Sequence, residues 1–426
     1  GSDNRPSCVS FFEQRLVFAG TNKNPQSLWF SKAGDYENFT TGTNAADAMI
    51  YTIASNQVNA IQYLKAVRTL VVGTTGGEFT VSADGTDASI TPTNVTIKRQ
   101  SSFGSAGVDA IPAGNAILFL QKAKRKIREL AYNFDSDGYV APDLTILNES
   151  VTASGINQMA YQQEPDSIIW CVRDDGVLAG LTYQRAENVT AWHRHIFGGA
   201  FGSGNAVCES AASISGTLTE DELWVIVKRT INGATKRYVE CFSDFDFDET
   251  DATSFRFLDS HLTYSGSATT TLSGLSDLEG QTVSNLAYGS VHADKTVSSG
   301  SITLDRSVTK AVVGLSYDSV LQTMRIEGGA AEGTSQGKTK RISKVVLRLF
   351  ETVGVKVGPS LTELETIPFR TTSSSMSSPV DTLLAGDKEI EFRDDYNSDG
   401  FIVIKQDQPL PCSILAIYPT LVTSDG

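Results

Sequence analysis

Short apolar segments that turn back on themselves recur about every fifty residues along this chain. The candidate hairpins begin near Leu16, Leu70, Ile117, Ile168 and Leu223, at intervals of 54, 47, 51 and 55 residues. A repeat of this length built from hairpins is typical of the blades of a β-propeller. The repeat predicts an all-β protein whose main domain is a small or partial propeller.

The turns of these hairpins carry their own signals. Asp175-Gly176 separates two apolar runs in the fourth hairpin, and Asn232-Gly233 does so in the fifth. Asp-Gly and Asn-Gly pairs suit tight hairpin turns because these residues tolerate a positive φ. The strands on either side are therefore predicted to pair antiparallel.

Composition narrows the classes of function. The chain has 426 residues, 40% of them hydrophobic, and a formal net charge of −14. A protein of this length is expected to form two or three domains, and its acidity disfavours a conventional nucleic-acid binder, which needs clustered cations. No apolar stretch is long enough to predict a membrane span, and the five widely spaced cysteines predict free, mostly buried thiols.

The order of the segments predicts three regions. A propeller-like domain is expected at 3–250, a small inserted β-barrel at 262–335, and a C-terminal β region at 340–426. A polar run at 244–251 marks the first change in composition, and a serine-rich loop at 371–378 interrupts the last region. Because no strand is evident before Phe11, either the chain lacks an N-terminal part or a later segment, 345–350, completes the propeller.

Two segments imitate a calcium-binding loop, with alternate oxygen-bearing residues before a glycine. They are Asn133, Asp135 and Asp137 before Gly138, and Asp395, Asn397 and Asp399 before Gly400. The twelfth position is Leu144 in one and Gln406 in the other, so the bidentate carboxylate of such a loop is missing. Structural turns are the favoured interpretation, and no metal site is predicted.

His193 and His195 would share one face of a strand, as two metal ligands could. No third ligand accompanies them in the sequence, and Trp192 indicates a packed blade edge. A surface pair or a hydrogen-bonded pair is the preferred interpretation.

One basic cluster stands out in this acidic chain. It consists of Lys122, Lys124, Arg125, Lys126 and Arg128. In an extended strand its even-numbered members would form a cationic stripe suited to DNA phosphate or to an acidic partner. The favoured alternative is a solvated hairpin turn between Leu120 and Ile127, because charge runs are usually exposed.

Motifs of common enzymes are missing from the sequence. It has no Gly-x-x-x-x-Gly-Lys-Ser/Thr phosphate loop, no His-Glu-x-x-His pair, and no repeated Ser-x-Asp-x-Gly-x-x-Trp turn of the sialidase kind. We therefore predict a protein that is not an enzyme and needs no cofactor. A carboxylate pair assembled only in three dimensions stays open as a glycosidase alternative.

A family resemblance adds a function to this fold. The first hairpin at 10–39 resembles the tail nozzle (tail tubular protein B-like, or stabilisation) proteins of short-tailed bacteriophages and prophages. Further segments of the resemblance follow in order at 137–145, 175–183, 191–195, 278–283 and 406–411. The predicted barrel also resembles one found in ubiquitin-activating enzymes, without their catalytic apparatus.

The resemblance implies a structural virion protein. Members of the family assemble in the virion tail as a ring, usually a hexamer, beneath the portal and the tail adaptor, and they contact fibres or spikes. Such a protein is made in the cytoplasm of the bacterial host, and DNA passes through its ring during ejection. The alternative is a glycan-binding or glycan-cleaving propeller used in host attachment.

Overall fold

The computed structural model describes residues 4–54, 58–85, 88–216, 220–243, 253–328, 334–370 and 383–424. The chain is all-β, and its one helical element among these residues is a single 3-10 turn at Ser276–Leu278. The predicted changes of composition at 244–251 and 371–378 lie outside the described residues. None of the described helical segments is long and apolar enough to span a membrane.

Four consecutive antiparallel sheets of four strands each form the first half of the chain. In each sheet the strands are neighbours in sequence order. The first sheet contains β1 (Cys8–Phe12), β2 (Arg15–Ala19), β3 (Ser27–Phe30) and β4 (Met49–Thr52). The second contains β5 (Ile61–Ala66), β6 (Leu70–Thr74), β7 (Gly77–Ser82) and β8 (Thr96–Ser101).

The third and fourth sheets repeat this arrangement. The third contains β9 (Ile111–Ala113), β10 (Ala116–Leu120), β11 (Ile127–Asn133) and β12 (Gly138–Val140). The fourth contains β13 (Ile156–Gln162), β14 (Ile168–Arg173), β15 (Leu178–Gln184) and β16 (Val189–His195). A series of four-stranded meanders of this kind is β-propeller-like, as the sequence repeat predicts.

Two smaller sheets follow. The first pairs β17 (Ala200–Phe201) with β18 (Gly204–Asn205), and the second joins β19 (Val207–Ser215), β20 (Asp221–Ile231) and β21 (Ala234–Cys241) in that order. All five predicted hairpin starts lie in the second strand of a successive sheet, namely β2, β6, β10, β14 and β20. The predicted turns at Gly176 and Gly233 adopt positive φ values of 82° and 73°.

A third kind of sheet occupies the predicted barrel region. It contains β22 (Asp259–Ser273), β23 (Thr282–Ala287), β24 (Ser290–Thr296) and β25 (Ser301–Leu315), in the order β22-β25-β23-β24. No strand pair among these described residues closes the sheet into a barrel. The segments 302–304 and 311–315, which sequence reasoning treats as separate, belong to the single strand β25.

The C-terminal region forms two sheets around one core. One sheet has the order β26 (Ser319–Gln322), β31 (Val403–Gln406), β28 (Lys356–Ser360) and β29 (Glu363–Thr366). The other has β27 (Thr339–Thr352) between β30 (Leu384–Glu391) and β32 (Ser413–Ser424). The segment 345–350, proposed to complete the propeller, is a strand, and it pairs with β30 and β32.

The chain divides into two compact units. The first comprises 1–195 and 208–226, and the second comprises 196–207 and 227–426. The sequence-based limits at 3–250, 262–335 and 340–426 stay predictions.

Inside the first unit, each sheet shares a core with the next. Val17 of β2 and Val72 of β6 belong to the core between the first and second sheets. Val71 and Phe119 belong to the core between the second and third, and Leu118 packs with residues of the fourth. Alternate residues of one strand therefore contact the preceding and the following sheet, which explains why β6 and β10 are buried throughout.

Candidate interaction surfaces

An acidic groove lies in the second unit, beside strands β27, β28, β29 and β30. Its volume is about 1190 Å³. Seven carboxylates and three cations line it: Glu363, Glu365, Glu389, Glu391, Asp394, Asp395, Asp399, Arg341, Lys344 and Arg393. The groove is thus anionic overall, like the whole chain.

Ion pairs neutralise part of this charge. Lys344 Nζ lies 3.1 Å from a Glu389 carboxylate oxygen, and Arg393 Nη1 lies 2.9 Å from Glu365 Oε1. Glu363, Glu391 and Asp395 are exposed and have no ion-pair partner within the described ranges. Their uncompensated charge favours cations and repels phosphate.

Asp394 holds one wall of the groove in place. This buried carboxylate accepts hydrogen bonds from the Ile342 amide at 3.3 Å and from Asn397 Nδ2 at 2.9 Å. Burial raises the pKa of Asp394, whereas these hydrogen bonds act in the opposite direction. The side chain therefore connects β27 to the turn at 394–400.

Both calcium-like segments form turns closed by their own side chains. Asn397 Oδ1 accepts hydrogen bonds from the amides of Asp399 at 2.9 Å and Gly400 at 2.7 Å. Asn133 Oδ1 accepts from the Ser136 amide at 3.1 Å, so an asparagine side chain closes this turn as well. In the part of the chain that the structure describes, no group of three or more His, Cys, Asp or Glu side chains is arranged to hold a metal.

His193 and His195 form a hydrogen-bonded pair, which confirms one of the two arrangements expected from the sequence. His193 Nδ1 and His195 Nε2 are 2.8 Å apart, and both rings contact Trp170 edge to face. Burial lowers the pKa of both imidazoles, to about 3 for His195, so both are neutral at pH 7. A Cβ atom at Gly180 would lie 2.1 Å from His193 Cε1, so the pair requires glycine there.

Four members of the basic cluster, Lys122, Lys124, Arg125 and Lys126, lie in the turn between β10 and β11, whereas Arg128 lies in β11. Lys124 has a φ of 61°, so the even-numbered residues do not line up as one stripe. Lys126 pairs with Asp143 and Glu149 at 2.9 and 3.1 Å.

The remaining members of the cluster differ in how far they are engaged. The Arg128 guanidinium lies 3.5 Å from the centre of the Phe103 ring and donates a hydrogen bond to the Ala141 carbonyl. Lys124 Nζ donates to Asn157. Lys122 and Arg125 are exposed and have no ion pair within the described residues. A role of this cluster in binding a partner or DNA stays a prediction.

A second, smaller pocket lies in the first unit. It has a volume of about 550 Å³ and is lined by Tyr161, Glu164, Ser213, Glu220 and Asp221, among others. The hydroxyl of Ser213 is buried without a hydrogen-bond partner among the described residues. The Asp221 carboxylate accepts hydrogen bonds from the amides of Gln163 and Glu164, which fixes one rim of the pocket.

Sequence reasoning missed the acidic groove. Its strands carry a signal, since Glu363 and Glu365 alternate along β29 as Glu389 and Glu391 alternate along β30. Alternate positions share a face of a strand. The sequence does not indicate that the two strands border one groove.

The solved structures that match this chain include two distant structural likenesses. No protein-family model matches the chain, and no curated protein matches its sequence. One of these two structures is an auxiliary nutrient binding protein from Bacteroides thetaiotaomicron. The alignment covers 56% of this chain and 57% of the nutrient binding protein, with 8% sequence identity and a TM-score of 0.31. The other is a luciferin-regenerating enzyme. The alignment covers 52% of this chain and 84% of that enzyme, with 9% sequence identity and a TM-score of 0.20. The fold class therefore rests on the strands and sheets of the chain itself.

Proposed function

We propose that this chain is a structural subunit of the tail nozzle, or lower tail tube, of a short-tailed phage or prophage. The proposal starts from the ordered segments that resemble this family. It places the chain in a homo-oligomeric ring, a hexamer by the resemblance, between the tail adaptor and the fibres or spikes. DNA passes through the ring, and no chemical step is required of the protein.

The observation that best supports a scaffold role is that segments of the resemblance pack on one another. The segment 175–183 pairs with 191–195 along β15 and β16. Trp192 Nε1 of the latter donates a 2.9 Å hydrogen bond to the Leu144 carbonyl of 137–145. These residues form strands, turns and core contacts, as expected where a sequence is selected for rigidity.

The first segment of the resemblance contains a similar structural device. Arg15 is 2% exposed, and its guanidinium donates hydrogen bonds to the carbonyls of Ser31, Asp47 and Ala45 at 2.7, 2.7 and 2.6 Å. A buried cation that gathers three carbonyls fixes the long connection between β3 and β4. Such a device suits a wall that must withstand mechanical load.

The charge of the chain supports passage of DNA without adhesion. A net charge of −14 repels phosphate when carboxylates face the channel. Charge reversal of channel-facing acids would then slow ejection from particles, most clearly at low salt, where screening is weak. Ejection that is unchanged at low salt would argue against this electrostatic role.

Immunogold electron microscopy of intact particles tests the proposed location. Antibodies against this chain should label phage or induced prophage particles at the tail, below the portal. Particles without label, together with free protein in the host cell, would remove the nozzle proposal.

Glycan binding is the second candidate, and the pocket beside Tyr161 favours it. An aromatic ring, hydroxyls and the carboxylates of Glu164, Glu220 and Asp221 meet there, and such groups can bind sugar hydroxyls. A glycan array with the purified chain tests this candidate, with Tyr161→Ala as the variant expected to lose binding. An array without signal above background would reject it.

A further inference from the structure

The first sheet has a second apolar face. Cross-strand partners place Val9 opposite Phe18, Phe18 opposite Trp29, and Trp29 opposite Ile50, so that one apolar row crosses all four strands. The opposite face carries the neighbouring row of Cys8, Ala19, Leu28 and Tyr51, which packs in the core shared with the second sheet. The Val9 row does not belong to that core.

The second apolar face is open to solvent. Val9 is 59% exposed, Ile50 53% and Phe11, two residues along β1 from Val9, 61%. Tyr36 and Phe39 cover only part of it, through ring contacts with Phe11 at 5.3 Å and with Phe18 at 5.6 Å between centroids. The exposed side chains together present on the order of 400 Å² of apolar surface, a size that marks interaction sites on soluble proteins.

The stacking of the sheets indicates what kind of surface covers this face. In β10 of the third sheet, Ile117 and Phe119 contact the preceding sheet, and Leu118 and Leu120 contact the following one. In β2, Val17 and Ala19 contact the following sheet. Leu16 and Phe18 therefore hold the positions that contact a preceding sheet elsewhere in the series. An apolar sheet face of another molecule fits this place.

We propose that a second copy of this chain covers the open face of the first sheet. This inference rests on the proposed function, because a ring subunit meets copies of itself on two sides. The open face, made of the row Val9, Phe18, Trp29 and Ile50 and of the neighbouring pair Phe11 and Leu16, contains no charged side chain in these positions, so the partner needs no complementary charge there. Standard interfaces bury about 800 Å² per partner, so this face supplies about half, as the apolar centre of a larger contact.

Sedimentation of the purified full chain over a concentration series tests the contact. Wild type should self-associate, and Ile50→Glu should raise the dissociation constant about a hundredfold or more, because a carboxylate would be buried without a partner. Leu361→Glu is the matched control, since Leu361 is 56% exposed on the β28–β29 turn, and it should associate like wild type. Far-ultraviolet circular dichroism verifies that both variants fold. A monomeric wild type, or equal effects of the two variants, would overturn the proposal.

Photocrosslinking identifies the occupant. With benzoylphenylalanine at position 50, illumination should give an adduct of two copies, and the same probe at position 361 should not. No adduct, or in a phage lysate an adduct with a different protein, would refute pairing of copies. If immunogold labels the tail but no self-adduct forms, the nozzle function stands and the proposed interface is wrong. If a self-adduct forms but the tail is not labelled, the interface stands and the nozzle function is wrong.

Discussion

The first sheet and the C-terminal sheet β30-β27-β32 use their second faces differently. Both place one face on a core, with Leu28 and Leu347 fully buried. The second face of the C-terminal sheet is charged, with Arg348 paired to Asp387 at 2.8 Å and stacked over Tyr418 at 5.5 Å. The second face of the first sheet is apolar. Charged residues alternate with apolar ones in the C-terminal sheet and give it a face suited to solvent, whereas the first sheet has two apolar faces, one of them partly exposed.

The largest difference in unfolding stability is expected between variants of two arginines, Arg15 in the first sheet and Arg348 in the C-terminal sheet. Arg15→Met should lower the free energy of unfolding by about 3 kcal/mol, because three carbonyls lose hydrogen bonds from a charged donor. Arg348→Met should shift the urea midpoint far less, because its pair with Asp387 is solvated. Urea unfolding of both variants at pH 7 measures this, and equal shifts would contradict the distinction.

A smaller difference is expected for aromatic residues on the two second faces. Trp29 is half-buried between Phe18 and Ile50, so Trp29→Ala should cost about 2 kcal/mol, less than for a fully buried tryptophan. Tyr418 is 46% exposed, and Tyr418→Ala should cost under about 1 kcal/mol. Thermal and urea unfolding of the two variants provide the comparison. A larger loss for Tyr418→Ala would mean that the C-terminal sheet is also covered.

The smallest effect concerns pH. The hydrogen bond from Arg348 holds the pKa of Asp387 below its ordinary value of 3.8. A depressed carboxyl pKa contributes stability above the ordinary value and loses it as the pH falls through the folded-state value. Asp387→Asn should therefore lower the urea midpoint slightly at pH 7 and hardly at all in strong acid. The apolar residues on the second face of the first sheet do not titrate. A difference in urea midpoint between Asp387→Asn and wild type that persists in strong acid would therefore contradict the assigned role of the Asp387 charge.

The repeat of hairpins could be predicted because its signals are local. Alternating apolar residues and pairs such as Asn232-Gly233 specify a strand pair within about ten residues, and each predicted pair lies in a separate sheet. The acidic groove could not be predicted, since Glu365 and Glu389 come together only through the packing of the C-terminal region. The basic cluster shows the same limit, because Asp143 and Glu149 neutralise Lys126 from a later turn.

The range of the strand contacts also bears on the order in which the chain folds. In the first sheet, β1 meets β2 through a tight turn, whereas hydrogen bonds between β27 and β32 join residues that are 61 to 85 positions apart in the sequence. Closing a longer loop costs more entropy before its contacts form, so non-local pairs form late. We expect the propeller-like sheets to form one after another during synthesis, each on the surface of the last. The C-terminal sheet would then form after the propeller-like sheets, because its strands pair over much longer stretches of sequence.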